Sequence, residues 1–302
     1  MASHTPLVFH PIYSQLELPE RHRFPIEKYQ AIYDRLVLQS VDKNTFYQPE
    51  ALTFQQVSAH LCHDYLNGLT TGTLDGKAMR RIGFPWSEQL VKRTLTASAG
   101  TILTAIKALE SGKALNLTGG YHHAFYDFGS GFCMVNDLYL AAHKMLEHQG
   151  IDRVLIFDCD VHQGDGTAAL ATDNESIITV SLHCEKNFPY RKQHSDMDFP
   201  LDKHLKDDEY LTTVEQAFNL AVNTYQPDAV IYDAGVDIHI DDDLGLLDIT
   251  TDGVYQRDSF VFNRCDEFGL PVAAVIGGGY QRDINALVDV HIQLFKAAGI
   301  VE

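Results

Sequence analysis

The run Val-Leu-Ile-Phe-Asp-Cys-Asp-Val-His at residues 154–162 decides the fold of this 302-residue chain. Its first four residues are apolar without interruption, as is typical of a strand covered on both faces in a parallel sheet. Two residues with metal-binding side chains, Asp160 and His162, stand just beyond that strand. Open α/β sheets bind ligands beyond the carboxyl ends of their strands. The run therefore predicts a buried parallel strand with a metal site at its end, as in a metal-dependent hydrolase.

The chain beyond about residue 90 repeats this alternation of strand and helix. Apolar runs predict further strands at residues 114–118, 177–182, 229–232 and 272–276. Apolar residues at helical spacing predict helices near residues 90–109, 135–148, 208–225, 254–268 and 283–298. Because strands that alternate with helices form right-handed crossovers, we predict an α/β fold with a doubly wound, mostly parallel sheet flanked by helices. We expect residues 1–302 to form a single domain, although the first 90 residues show no regular pattern.

The composition narrows the classes of partner. The chain has 23 Lys and Arg residues against 41 Asp and Glu, a formal net charge of -18. Nucleic acid is excluded as a partner, because phosphate contacts need a basic face. The acidity favours cationic partners such as lysine-rich peptides or polyamines, or serves solubility alone. The oligomeric state is left open.

Two further features of the composition concern the cell compartment. No stretch approaches the roughly 20 apolar residues of a membrane span, so we expect none. The five cysteines are scattered without Cys-x-x-Cys spacing, which indicates reduced thiols. We therefore expect a cytoplasmic protein.

Residues able to do chemistry follow each of the five predicted strands. In a parallel sheet they would crowd one edge. Each alone has an ordinary structural explanation, such as a surface histidine or a flexible glycine turn, but five successive strand ends of this kind are hard to explain by packing. In chain order these residues are His122 and His123, then Asp158, Asp160, His162 and Asp165, then Ser181 and His183, then Asp233 and Asp237, then the Gly-Gly-Gly-Tyr of residues 277–280.

Together these strings make a sequence that resembles the histone deacetylase family, part of the arginase–deacetylase superfamily, over roughly residues 5–298. The short chain, His-Arg-Phe-Pro at residues 22–25 and Gly-Phe-Pro-Trp at residues 83–86 look most like the class IV deacetylases and their bacterial relatives. The motifs that carry the family resemblance are Gly-Gly-Tyr-His-His-Ala (119–124), Gly-Phe-Cys (131–133), Asp-Cys-Asp-Val-His-Gln-Gly-Asp-Gly-Thr (158–167), Ser-Leu-His (181–183), Ala-Gly-Val-Asp (234–237) and Gly-Gly-Gly-Tyr (277–280).

The resemblance implies a Zn²⁺ ion held by Asp160, His162 and Asp237. Two carboxylates and one imidazole leave an open position on the metal, which a catalytic zinc site requires. Because this ligand set is more anionic than three histidines, Fe²⁺ or another divalent ion also suits it. The family also binds K⁺ near this place, partly through backbone carbonyls, and the matching residues here are Asp158, Asp160, His162, Ser181 and Leu182.

The resemblance also implies roles in proton transfer and charge stabilisation. His123 is expected to be the general base and later the general acid, and His122 its electrostatic and hydrogen-bonding partner. A histidine suits this work because its ordinary pKa of about 6.5 lies near physiological pH. Asp158 and Asp165 are expected to orient His122 and His123 respectively. Tyr280 is expected to donate its hydroxyl to the oxyanion of the tetrahedral intermediate.

A narrow tunnel for the acyl-lysine stem is implied as well. Phe132 and Phe188 match positions whose rings flank it, and apolar walls suit methylenes that must leave water. Gly131 is expected to accept the substrate ε-N–H through its carbonyl. Arg23 matches, weakly, an arginine deep in the site, with a surface position as the alternative. The acids at residues 241–243 either contact a cationic substrate near the rim or form a solvated loop.

We therefore expect a zinc-dependent deacylase that hydrolyses the amide of an Nε-acyl-lysine in a protein or peptide. Two alternatives keep the chemistry and change the substrate: an acetylpolyamine amidohydrolase, and a deacylase for long-chain fatty-acyl-lysine. A non-catalytic acyl-lysine binder is less favoured, because His123 and Tyr280 are both present. Arginase-like hydrolysis is disfavoured, because the single Asp-x-Asp-x-His run followed by Gln163 offers too few ligands for a second metal.

Overall fold

The computed structural model describes residues 5–302 and places the eight strands of that part of the chain in one sheet. In chain order the strands are β1 (Leu7–Val8), β2 (Phe46–Tyr47), β3 (Lys113–Asn116), β4 (Val154–Asp158), β5 (Ile177–Cys184), β6 (Met197–Leu201), β7 (Ala229–Asp233) and β8 (Val272–Val275). The order across the sheet is β2-β1-β3-β8-β7-β4-β5-β6. Every neighbouring pair is parallel, so all strands end at the same edge. The predicted α/β class and parallel sheet are confirmed.

Ten α-helices connect and cover these strands within the described residues. They are α1 (Lys28–Leu38), α2 (Phe54–Ser58), α3 (His63–Thr71), α4 (Gly76–Ile82), α5 (Glu88–Ser111), α6 (Asp137–Leu146), α7 (Asp165–Ala171), α8 (Asp207–Tyr225), α9 (Thr251–Phe268) and α10 (Ile284–Ala297). The long α5 begins where the hydroxyl of Ser87 accepts from the amide of Leu90 at 3.0 Å, and it ends at Gly112. Among residues 5–302, no helix combines the length and apolarity needed to cross a membrane.

The core lies on both faces of the sheet. In β4, Val154 and Ile156 pack in a cluster with α5 and α6, whereas Leu155 and Phe157 belong to the larger cluster that includes α8 and α9. Alternate residues of a strand point to opposite faces. A strand covered on both faces must therefore be apolar at every position, which explains the uninterrupted run at residues 154–157.

The regions without a clear periodic pattern supply the remaining elements. The two-residue strands β1 and β2 and helices α1–α4 come from the first 90 residues, and they were not predicted. The strand β6, also not predicted, contains Pro200, which offers no amide hydrogen to a neighbour. A proline is tolerated there because β6 lies at the edge of the sheet.

Candidate active site

The three predicted metal ligands meet beyond the ends of β4 and β7. Asp160 and His162 follow β4, Asp237 follows β7, and all three side chains are buried. Nδ1 of His162 lies 3.0 Å from Oδ1 of Asp160 and 3.0 Å from Oδ2 of Asp237. One possible ligand atom from each residue lies within 4.8 Å of the other two. The structure therefore brings together the three side chains that the sequence singled out.

Backbone amides aim the two carboxylates. The amide of Gly278 donates to Oδ2 of Asp160 at 2.9 Å, and the amide of Val161 donates to Oδ1 of Asp237 at 2.9 Å. A Cβ atom at position 278 would lie 2.3 Å from Oδ2 of Asp237 and 2.4 Å from Oδ2 of Asp160. Glycine is needed at this position because any side chain would displace the carboxylates.

The electrostatics of this cluster fit a divalent cation. Burial, and then the charge of Asp160, raise the pKa of Asp237 to about 7. Burial alone would lower the pKa of His162, but the carboxylates of Asp160 and Asp237 outweigh it and raise that pKa to about 10. Two buried carboxylates this close together need positive charge between them. One imidazole and two carboxylates are also ligands that Zn²⁺ and similar ions accept.

Each predicted histidine has the predicted carboxylate beside it. Nδ1 of His122 lies 2.7 Å from Oδ2 of Asp158, and Nδ1 of His123 lies 2.6 Å from Oδ1 of Asp165. The two imidazole rings are neighbours, with centroids 4.1 Å apart. In each ring the carboxylate engages Nδ1, which leaves Nε2 free to face a reacting group.

The two histidines differ in their affinity for a proton. Burial, and then the charge of His122, lower the pKa of His123 to about 4. Burial also acts to lower the pKa of His122, but the carboxylates of Asp158, Asp160 and Asp233 outweigh it and raise this pKa well above its ordinary value. At neutral pH, His123 is therefore an unprotonated acceptor next to a cationic His122.

A further carboxylate, that of Asp233, lies in the same cluster without an assigned role from the sequence. Asp233 ends β7 in register with Asp158, and its Oδ2 lies 4.0 Å from Nδ1 of His122. Both of its oxygens are buried and lack a hydrogen-bond partner within the described residues. Burial, and then the charge of Asp158, raise its pKa well above the ordinary value. Its position at the end of a strand was the only signal in the sequence.

The Tyr280 ring lies above the metal-ligand cluster, with its centroid 6.3 Å from that of His162. The amide of Tyr280 donates to Oδ2 of Asp242 at 2.7 Å. Burial, and then the charges of Asp160 and Asp237, raise the pKa of the Tyr280 hydroxyl well above its ordinary value. The hydroxyl therefore keeps its proton and is a hydrogen-bond donor at neutral pH.

Lys28, at the start of α1, holds the glycine run before Tyr280. Its buried ammonium donates to the carbonyl oxygens of Gly277 and Gly279 at 3.1 Å and 3.4 Å. Burial lowers its pKa to about 8 despite the opposing carboxylates nearby. No pattern in the sequence marks Lys28 as buried, because a lysine on an amphipathic helix is usually exposed. Arg23, by contrast, is exposed and borders a separate groove. The predicted position of Arg23 deep in the site is therefore wrong, and the alternative of a surface position is confirmed.

A cavity of about 520 Å³ leads from the surface into the candidate active site. His123, His162 and Tyr280 line its inner end. The ring of Phe132 packs with its centroid 5.3 Å from that of Phe84, and the ring of Phe188 lies 4.8 Å from that of His123. The predicted tunnel residues Gly131, Phe132 and Phe188 all line this cavity, and Phe188 is 46% exposed.

Two sets of predicted residues have a less direct connection to the cavity. Ser181 and Leu182, matched to a K⁺ site, are buried in β5, where Ser181 is the register partner of Asp158.

The acids at residues 241–243 make separate contacts. The Asp242 carboxylate accepts from the amides of Leu244, Gly245 and Tyr280, and Asp243 forms an ion pair with Arg282 at 2.7 Å. None of the three acids lines the cavity.

Comparisons with known proteins identify the family of this chain. A histone deacetylase domain model matches residues 22–294. An uncharacterised protein of Picosynechococcus sp. is 46% identical over 296 residues, covering 97% of this chain and 98% of that protein. Histone deacetylase 2 of Arabidopsis thaliana is 33% identical over 206 residues, covering 67% of this chain and 53% of that protein. The chain thus spans about half the length of that named deacetylase.

Solved structures show the same fold. The crystal structure of a histone deacetylase homologue from Aquifex aeolicus superposes with a TM-score of 0.81 at 22% identity, covering 98% of this chain and 84% of that one. A histone deacetylase homologue complexed with SAHA superposes with a TM-score of 0.82, also at 22% identity, with the same shares covered. These likenesses match the eight-stranded parallel sheet and its helices.

Proposed function

This chain belongs to the histone deacetylase family of metal-dependent amide hydrolases, and we propose that it hydrolyses the amide of an Nε-acyl-lysine. One observation carries the proposal. His123, His162 and Tyr280 line a single cavity with largely apolar walls, and behind them lie the other metal ligands and the second histidine–carboxylate pair. Acceptor, donor and metal ligands thus surround one point where a narrow acyl group can enter.

We propose Zn²⁺ as the ion held by Asp160, His162 and Asp237, with Fe²⁺ or another divalent ion as the alternative. The buried anionic donor set described above supports a divalent ion. When bound, the metal would polarise the acyl carbonyl and make a water molecule more acidic. A K⁺ ion near Asp158, Asp160, His162, Ser181 and Leu182 is proposed on the family resemblance.

The proposed roles of the side chains follow from their protonation and contacts. His123, unprotonated at neutral pH, accepts a proton from the attacking water and returns it to the leaving amine. His122, held cationic by Asp158, favours the negative charge that develops beside it. Asp165 orients the His123 ring through Nδ1. The Tyr280 hydroxyl, which keeps its proton, donates to the oxyanion of the tetrahedral intermediate.

The cavity walls would hold the lysine stem. The rings of Phe132 and Phe188 offer apolar surface to the methylenes, which gain by leaving water. The carbonyl of Gly131 lies in the same wall and is proposed to accept the ε-N–H of the substrate. Such contacts place the amide against His123 and Tyr280.

Four further proposals concern the branch of the family, the domain organisation, the compartment and the alternative substrates. We propose the class IV branch on the short chain and on the strings at residues 22–25 and 83–86, and a single catalytic domain on the one continuous sheet. The five free cysteines support a reducing compartment such as the cytoplasm. Acetylpolyamines and long-chain fatty-acyl-lysine are the alternative substrates, and non-catalytic binding of acyl-lysine is a weaker one.

Turnover on one lysine peptide that carries acetyl, and then progressively longer acyl groups, tests the proposal. The protein is stripped with a chelator and reloaded with Zn²⁺, and acetylspermidine is assayed alongside. We expect metal-dependent acyl release from the peptide. Tyr280→Phe should lower kcat by about 10²–10³ with little change in KM, the usual cost of one oxyanion donor.

The variant Tyr255→Phe is the matched control, because Tyr255 lies on α9, is 39% exposed and does not line the cavity. Its kcat should equal that of the wild type. Release from acetylspermidine alone would move the chain to the polyamine branch. If no substrate is hydrolysed although the metal is bound, the result would contradict catalysis and favour a non-catalytic acyl-lysine binder.

A further inference from the structure

The mouth of the cavity is positively charged, although the chain as a whole is strongly negative. Arg80 and Arg81 from α4 and Lys186 from the loop after β5 line the cavity. Among the described residues, no aspartate or glutamate lines it with them. In a chain of formal net charge -18, three cations without an acid are a local reversal of sign.

These cations form no ion pair with a carboxylate in the described part of the chain. Within residues 5–302, no carboxylate oxygen lies within 4.0 Å of the side-chain nitrogens of Arg80, Arg81 or Lys186, and all three residues are exposed. Asp75, the N-cap residue that precedes α4, interacts with Arg80 only at longer range, and its carboxylate accepts from the amide of Ala78 at 2.7 Å. The three cations are therefore available to a ligand.

Backbone hydrogen bonds fix the arginines next to the tunnel wall. The carbonyl oxygens of Arg81 and Ile82 accept from the amides of Gly131 and Phe132 at 3.2 Å and 2.7 Å. The guanidinium of Arg81 also lies 4.0 Å from the ring centroid of Phe128, a cation–π distance. The end of α4 and the tunnel wall thus form one connected unit.

Lys186 comes from a second segment, which is also held in place. The ammonium of Lys192 donates to the carbonyl oxygens of Glu185 at 3.2 Å, Asn187 at 2.9 Å and Pro189 at 2.7 Å. The side-chain amide of Asn187 donates to the carbonyl oxygen of Leu244 at 2.7 Å. The positive charge at the mouth is therefore set by two ordered segments.

We propose that these three cations select substrates in which the acyl-lysine is flanked by aspartate or glutamate residues. The inference rests on the proposed function and names the substrate class of the same site. Exposed ion pairs are individually weak, but three of one sign act on the same peptide as it enters. The negative charge elsewhere on the surface acts less, because salt screens it over about 10 Å at 0.1 M. Polyamines, which are cationic, meet repulsion at this mouth.

Two acyl-lysine peptides of equal length and equal acyl group test the proposal, one flanked by Asp and Glu and one by Lys and Arg. At 0.1 M salt, where the net charge of the rest of the surface is screened, we expect kcat/KM to be about tenfold higher for the acidic peptide, the combined effect of three weak ion pairs, with the difference mainly in KM. At 0.5 M salt the ratio should approach one. In the double variant Arg80→Glu/Lys186→Glu the preference should reverse.

Arg80→Gln/Lys186→Gln leaves Arg81 in place and should reduce the preference to about twofold, the share of one weak ion pair, without reversing it. Lys144→Glu changes the charge by the same amount per site on α6, away from the cavity lining, and should keep the wild-type ratio. Equal kcat/KM for both peptides, or faster turnover of acetylspermidine, overturns the inference while leaving metal-dependent hydrolysis intact.

Direct binding separates this inference from the proposed function. Fluorescence anisotropy of the same labelled peptides, on metal-loaded protein, should show tighter binding of the acidic peptide even if no peptide is turned over. If neither peptide is turned over but the acidic peptide binds more tightly, the proposed hydrolase activity is contradicted. The selection of acidic peptides by the cavity mouth then still stands. Equal binding of both peptides would contradict the charged mouth whatever the turnover.

Discussion

The floor and the mouth of this one cavity differ in charge, burial and hydrogen bonding. The floor is the buried end, where carboxylates such as those of Asp160 and Asp237 accept hydrogen bonds from backbone amides or lie beside histidines. The mouth has exposed cations that contact no carboxylate of the described residues within 4.0 Å. Charges at low dielectric interact strongly and exposed charges weakly. The floor therefore determines whether an amide is hydrolysed, whereas the mouth adjusts which substrate enters the cavity.

The largest expected effect lies on the floor. His123→Ala should lower kcat by about 10³, within the range of 10²–10⁴ that positioned general bases contribute. The variant should still fold, with a lower free energy of unfolding, because the buried carboxylate of Asp165 loses its hydrogen-bond partner. Turnover on an acyl-lysine peptide and thermal unfolding measure the two effects. His148→Ala, at an exposed position, is the control, and full activity of the His123 variant would refute the role given to His123.

The floor was predictable from the sequence for a topological reason. Asp158, Asp160, His162 and Asp237 lie on or within four residues of strand ends, and parallel strands end at one edge, so the topology alone brings them together. The continuous apolar runs identified those strands. Residues that topology does not position were placed by their family motifs.

The mouth, the N-terminal third and Lys28 were not predictable in this way. The mouth joins α4, the wall at residues 131–132 and the loop at residues 186–188, which are distant in sequence and connected by irregular backbone. The spacing of apolar residues along the sequence does not predict contacts between such distant segments. Lys28 lies at the beginning of α1, and only the tertiary packing of that helix against the glycine run buries it.

A second, smaller effect sharpens the contrast between buried and exposed cations. Lys28 has a pKa of about 8 in the folded protein, against 10.5 for an ordinary lysine. Between these values the unfolded chain binds more protons than the folded one, so stability rises with pH. The buried charge therefore destabilises the fold most below pH 8, and this destabilisation is relieved as the pH rises towards 10.5.

The variant Lys28→Met removes this pH dependence. Urea unfolding at pH 7.5 and 9.5 should show that the free energy of unfolding of the wild type, relative to the variant, increases by about 2 kcal/mol between the two values. Lys203→Met, at an exposed lysine, corrects for the general effect of pH on the fold. An unchanged difference between wild type and Lys28→Met would mean that the ammonium is not held in a dry site.

The smallest expected effect tests how closely the mouth is joined to the tunnel wall. Gly83 ends α4 with φ +92°, and a Cβ there would lie 2.9 Å from the Phe132 ring. Gly112 ends α5 with φ +84°, and a Cβ there would meet nothing within 4 Å. Both alanine variants incur the strain of a left-handed alanine, about 1 kcal/mol of the free energy of unfolding. Gly83→Ala must in addition displace the Phe132 ring, so it should be the less stable of the two and should raise KM for an acyl-lysine peptide. Gly112→Ala should leave KM unchanged. Equal stability and equal KM for the two variants would show that Phe132 yields freely, and that α4 does not transmit its position to the wall.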